Sequence, residues 1–375
     1  MTTDPRPAPD SPTNPNSPDL DLDGPDPDSD LGLGLQLDGP DPGLFGPGSV
    51  SWRVMSDPVF ALGGLRALFL QALYPRAMAG VAQNSDLNAP PWDRFLRTAR
   101  YVHTVTFGTA ADAERAATRV RAVHRALTAT DPATGERFRL DDPDALLWVH
   151  VVEAESFLNT ARRAGLRLTP ADADRYYREQ IRAAALVGID PQTVPATAAD
   201  VEAYYRGIRP ALRLTPEAAH AARFLLWPPM SRSARLRGAR AGWLALTATA
   251  FGLPPAWARR LFGLPGLAAA DLPPAATARA LRAAALLLPT PLRHGSPILQ
   301  AARRRLADTD VGTGTITDTD TDDGTGTNSG AHANASSRID ANVGIGTNSA
   351  AGTDVNTPRG VASPAYRPSA APRRA

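Results

Sequence analysis

Apolar positions recur at a helical period through most of residues 46–306. The runs 111–128, 143–164 and 170–187 are amphipathic, with apolar residues three to four apart. Helix starts are marked by a capping residue followed by proline: Asp57-Pro58, Asp142-Pro143, Thr169-Pro170 and Thr215-Pro216. Proline at the first helical position loses nothing, because its missing N–H would have no intrahelical acceptor. Stops fall at Gly165, Gly188 and Pro228-Pro229. No alternating strand pattern appears. The pattern predicts an all-α fold, a single multi-helix domain of roughly ten helices. No apolar run reaches the ~20 residues of a membrane span. The nearest, 242–253 and 278–288, are interrupted by Pro or Arg. A peripheral membrane contact stays open.

Composition narrows the chemistry. The chain has 375 residues, 36 Pro, 30 Gly and no Cys, and its 40 basic residues are all Arg. Without Cys there is no disulfide scaffold, thiolate zinc site, iron–sulfur cluster or cysteine nucleophile. Without Lys there is no Schiff base and no P-loop lysine. The bias toward Ala, Arg, Pro and Gly matches a GC-rich genome.

The net charge of +2 hides a partition. Residues 1–45 hold ten Asp and one Arg, and residues 307–375 hold eight Asp and five Arg. Residues 46–306 hold 34 Arg against 20 acids. The expected organisation is a basic helical domain over 46–306 between two acidic tails. The first tail, PRPAPDSPTNPNSPDLDLDGPDPDSD, is too poor in apolar residues to repay ordering, and the second contains the Thr/Asp tract TDTDTDD. Both read as disordered. The acidic start is not a signal peptide, so the expected location is cytoplasmic.

Three segments carry candidate chemistry. In 92–108, Arg94, Arg97, Thr98 and Tyr101 fall in one helical stripe. Two guanidiniums and a hydroxyl there suit a carboxylate or phosphate, or simply form a solvated basic face. In 111–128, His124 is the one polar group on a face of Ala113, Ala116, Ala117, Val120 and Leu127. In 143–165, His150 shares an apolar face with Leu146, Leu147, Ala154, Phe157 and Leu158. Each imidazole is either a satisfied core histidine or a ligand. Packed helices can aim two such side chains at one cavity, which favours an interior ligand. His103, His220, His294 and His332 read as surface or structural. No HExxH, P-loop, GxSxG or Rossmann fingerprint is present.

These segments resemble a family of haem-dependent oxygenases, the one containing rubber oxygenase (latex clearing protein) and the MpaB-type oxygenases. The similar stretches are 48–85, 94–108 (RFLRTARYVHTVTFG), 120–127 (VRAVHRAL), 142–158 (DPDALLWVHVVEAESFL) and 176–195. The resemblance covers about 43–232, extends loosely to 306, and excludes both tails. It implies an all-α domain binding haem b. Arg94-x-x-Arg97-Thr98 matches the family's Arg-x-x-Lys-Thr motif, with Arg in place of Lys. His124 matches the iron ligand, and His150, in WVH, matches a pocket or second axial position. Two positions depart from the pattern: Tyr74-Pro75 and Asn84-Ser85 stand where relatives carry His-Pro and His-Ser. Tyr74 can still donate a hydrogen bond as a phenol or ligate iron as a phenolate. Arg97 removes an amine ligand, since guanidinium does not deprotonate.

The resemblance implies a haem b oxygenase that uses O2 on an apolar, isoprenoid or lipid-like small molecule. Arg94, Arg97 and Thr98 would flank the reacting site or seat propionates. His124 and His150 would hold the metal, with Arg94 and Tyr74 also touching the cofactor. The alternative is a non-catalytic haem or lipid-binding helical module. No nucleic acid is expected, because the arginines are spread over helices rather than clustered.

Overall fold

The computed structural model describes residues 41–84, 91–228, 236–264, 266–289, 293 and 296–313. Within helices it leaves out the side chains of 91–95, 236–239, 268–269 and 308–313. Most of both acidic tails, Ser85, His294, His332 and the side chain of Arg94 therefore lie outside the described residues.

The chain is helical almost throughout. In order come α1 (Val50–Met55), α2 (Phe60–Gln71), α3 (Pro75–Asn84), α4 (Pro91–Phe107) and α5 (Ala110–Ala126). A hairpin of β1 (Thr128–Thr130) and β2 (Arg137–Arg139) leads into α6 (Pro143–Arg163) and α7 (Pro170–Leu186). Then follow α8 (Ala198–Ile208), α9 (Pro216–Leu226), α10 (Leu236–Gly252), α11 (Ala256–Leu261), α12 (Leu272–Leu286) and α13 (Pro297–Thr313).

Three of the four cap–proline pairs start helices as read. Asp142 accepts from the N–H groups of Asp144 and Ala145. Thr169 forms a reciprocal capping box with Asp172, and Thr215 accepts from Ala218. Asp57-Pro58 is the exception, because α2 begins later, at Phe60, with no side-chain cap. The Asp57 carboxylate is committed elsewhere: Oδ1 accepts from Val59 N in a tight turn, and Oδ2 takes the Arg282 guanidinium at 2.8 Å. The stops at Gly165 and Gly188 hold, with φ of 99° and 89°.

The small hairpin departs from the strand-free reading. Thr128 pairs with Arg139, Ala129 with Phe138, and Thr130 with Arg137. Ala129 and Phe138 turn inward onto Ala79 of α3, and the Arg76 guanidinium lies 4.2 Å from the Phe138 ring centre. Three-residue strands are too short to show a period.

The core forms where α2 crosses α6. Gly63 permits the approach: a Cβ there would stand 2.8 Å from Phe157 Cδ1 and 3.2 Å from its Cα. Gly63→Ala is therefore expected to cost about 1–3 kcal/mol despite its better helix propensity. A shift of the urea midpoint downward checks it. Trp148 is fully buried beside this crossing and donates to the Gln71 carbonyl at 3.2 Å.

A buried ion pair ties the same helices together. Arg66 of α2 meets both carboxylate oxygens of Glu155 on α6, Nη2 reaching Oε1 at 3.1 Å. Arg66 also donates to Ser156 Oγ at 2.6 Å and to the Leu253 carbonyl at 3.4 Å. Tyr205 of α8 donates to Glu155 Oε2 at 3.1 Å. The first described residues fasten to the α4–α5 turn: Asp41 Oδ2 accepts from Ala110 N at 2.6 Å. A Cβ on Gly43 would collide with the Gly108 carbonyl at 2.3 Å.

Candidate functional site

Helices α4 and α5 pack antiparallel across the short turn at Gly108 and Thr109. Thr109 caps α5 in a second capping box with Asp112. Counted from that turn, residues 94–98 and residue 124 lie at similar distances along the two helices. At 1.5 Å per residue both are about 20 Å away, at the open end of the hairpin. The backbone thus brings the Arg94-x-x-Arg97-Thr98 motif and His124 to one end. Arg97 and Thr98 are exposed there. Further along the stripe, Tyr101 is half-buried.

His124 is half-buried, and its Nδ1 is sealed with no hydrogen-bond partner among the described residues. Burial lowers its pKa, with Asp141 partly opposing, so the ring is neutral. On the small-residue face, Ala113 and Ala117 are fully covered by the protein. Ala116, Val120, His124 and Leu127 remain half-buried. The uncovered part of the stripe is the part around the histidine.

His150 sits on α6, two turns after the hairpin. It borders a narrow crevice with room for about 10 Å³, beside Val151 and Ala154, Tyr177 and Gln180 of α7, Val194, Pro195 and Val201 of α8. Burial pulls its pKa down to about 4. His124 is not among the residues bordering this cleft. Tyr74 packs elsewhere in the core, its ring 6.3 Å from that of Trp148. Among the described residues no three His, Asp or Glu side chains converge as a metal-binding group.

Two interior groups escaped the sequence reading. Glu153, half-buried one turn after His150, is raised to about 7 by burial. Its titrating neighbours are phenols: it adds to the upward shifts of Tyr101 on α4 and Tyr176 on α7, both led by burial. The Tyr176 hydroxyl is itself buried, with no hydrogen-bond partner among the described residues. The i, i+3 spacing from His150 was the available signal. His103, read as surface or structural, stacks on Phe60 at 4.2 Å, and Phe60 stacks on Phe157 at 4.8 Å. Burial pulls His103 down to about 4.

The Glu153 shift has a stability consequence. The unfolded chain ionises this group near 4.5 and the folded chain near 7. The folded state binds the proton more tightly, so stability falls as pH rises across that window and then levels off. Glu153→Gln should remove that part of the slope, worth about 3 kcal/mol at most. Urea unfolding of both proteins below pH 4.5 and above pH 7 measures it.

The described residues form a helical domain with neutral imidazoles set in apolar helix faces. Residues 52–289 match the family described as ER-bound oxygenase mpaB/B'/rubber oxygenase, catalytic domain, and the chain belongs to that family. Its kind of function is that of an oxygenase, which takes O2 and a substrate. No curated protein and no solved structure matches the chain.

Proposed function

We propose that the protein is a haem b oxygenase acting on an apolar, isoprenoid or lipid-like substrate, with His124 as the iron ligand. One observation carries this: a neutral imidazole nitrogen, buried and unpartnered, at the same hairpin end as the Arg-x-x-Arg-Thr motif. A sealed polar atom of this kind costs stability in the empty fold, and a metal or water removes the cost. The donor fits haem iron, which needs only one protein nitrogen. Asp141 is the carboxylate placed to bias that ring from outside.

Bound haem would supply the iron at which O2 is activated. The chain's own residues would do the rest. Arg94 and Arg97 meet propionates or border the reacting site, and Thr98 donates a hydrogen bond there. His150 stays neutral and lines the pocket, as a second ligand or a polar wall. Glu153 gains and loses its proton near neutral pH, close to Tyr101. Tyr74, packed in the core against Trp148, is not among the residues bordering the His150 crevice. The apolar helix faces exclude water and orient the substrate, and the protein meets that substrate at a membrane surface.

Reconstitution with haemin, followed by ultraviolet–visible spectra with and without dithionite, tests the reading. A Soret band that shifts on reduction supports it, and its absence overturns it. The exposure of Arg97 and Thr98 favours a second reading, a haem or lipid-binding module without oxygen chemistry. Haem binding with no O2 consumption on any unsaturated lipid or isoprenoid would select it.

A further inference from the structure

The basic charge of the helical body is unevenly spread. Residues 216–313, which span α9 to α13, hold 13 Arg against four acids, Glu217, Asp271, Asp308 and Asp310. Residues 46–215 hold 21 Arg against 18 acids. The cationic excess therefore belongs to the part built from α9 to α13.

That same part exposes its apolar side chains. Trp227 and Leu267 are 60% and 69% exposed, Leu272 69% and Leu287 87%, with Leu244, Leu286 and Leu288 also open. Helices α10 and α12 pack on each other. The open positions of α10 are Ala241, Gly242, Leu244, Ala245 and Ala248. On α12 they are mainly Leu and Ala, with Arg279 the one charge among them. These helices contain the two apolar runs that fell short of a membrane span.

A surface helix ordinarily turns a polar face to water, and a helix apolar all round is covered by something. Here two adjacent helices leave an apolar face open, and no helix among the described residues is long and apolar enough to cross a bilayer. Exposed arginines lie on these and neighbouring elements: Arg279 on α12, Arg223 on α9, which packs on α10, and Arg260 on α11. Trp227 joins the rim: its ring lies 4.8 Å from the Arg240 guanidinium, and with Trp243 and Leu244 it borders a shallow hollow. Tryptophan suits the boundary between apolar and wet surroundings.

We propose that α10 and α12 form a docking face for an anionic lipid surface, with leucines entering the acyl boundary and arginines meeting headgroup phosphates. Charge decides the occupant. A second copy would bring two net-cationic surrounds together, whereas anionic lipid pairs with the arginines beside the face while accepting the leucines. This gives a location to the membrane contact in the functional reading, and rests on that contact rather than on haem. Vesicle binding and the Soret band therefore succeed or fail separately.

The test is co-sedimentation of the full chain with vesicles of pure phosphatidylcholine and of equal parts phosphatidylcholine and phosphatidylglycerol. Binding is expected on the anionic vesicles, weakening with salt, and roughly tenfold or more weaker on the neutral ones. The double variant Leu244→Asp, Leu287→Asp should lose about tenfold or more on anionic vesicles. Both positions are open, so its thermal melt by circular dichroism should match the parent. Arg260→Gln with Arg279→Gln should weaken binding and flatten the salt dependence. No binding to anionic vesicles overturns the proposal. So does binding that the leucine variant leaves intact, which would mark a general polyanion patch. A concentration-dependent dimer that the leucine variant dissociates, with no vesicle binding, would assign the face to a second copy instead.

Discussion

Glu155→Ala is expected to destabilise the fold by about 3–5 kcal/mol, enough to unfold much of the population of a marginal domain. The cost does not come from the carboxylate itself. It comes from Arg66, which is only 1% exposed and would keep its charge with its counter-ion gone. Burial alone would drive the guanidinium toward neutrality; the Glu155 carboxylate more than reverses that push. Ser156 and the Leu253 carbonyl would remain as acceptors, but neither carries charge. Tyr205 would also lose the acceptor of its hydroxyl. Glu155→Gln should cost less, since an amide oxygen still accepts from Arg66. The double variant Arg66→Met, Glu155→Leu should be milder than Glu155→Ala, because both desolvated charges leave together. Urea unfolding free energies of the parent and the three variants rank these costs. A Glu155→Ala protein within about 1 kcal/mol of the parent would mean water reaches this pair.

His124→Ala should abolish the Soret band after haemin reconstitution, weakening haem binding by more than about 100-fold. Loss of an outer-shell partner alone costs about 10–100-fold, and His124 is proposed as the ligand. The empty protein separates this role from a structural one. A core histidine satisfied by hydrogen bonds would destabilise the fold when removed. Among the described residues Nδ1 of His124 has no such partner, so the haem-free variant should melt at or above the parent temperature. His150→Ala should behave differently. If His150 lines the pocket, the band persists with a shifted maximum; if it is a second axial ligand, the spin state changes as well. A full Soret band in His124→Ala would move the ligand assignment elsewhere.

Much of the fold was legible because its signals are local. Asp142, Thr169 and Thr215 cap helices using N–H groups two or three residues away, so their neighbours in sequence suffice. Asp57 looked the same, but Arg282, 225 residues later, claims its carboxylate. Helix periodicity placed His124 and His150 on apolar faces. It could not say that Ala113 and Ala117 are already covered by protein while His124 is not. Nor could it tell Glu153 from Glu155. The two stand two residues apart on α6, and only the partner decides which is an ion pair and which an isolated acid. Arg66 reaches Glu155, leaving Glu153 to the phenols.

The turn of the α4–α5 hairpin is held from outside the hairpin: Asp41 accepts from the first N–H of α5, and Gly43 lies against the Gly108 carbonyl. Such a hairpin is a pair of levers with its fulcrum at the turn. A change of about 3° in the angle between the helices moves groups about 20 Å away by about 1 Å. The spacing of Arg97 and His124 is thus tied also to a carboxylate at the opposite end of the hairpin, and Asp41→Ala is expected to alter it without touching either residue.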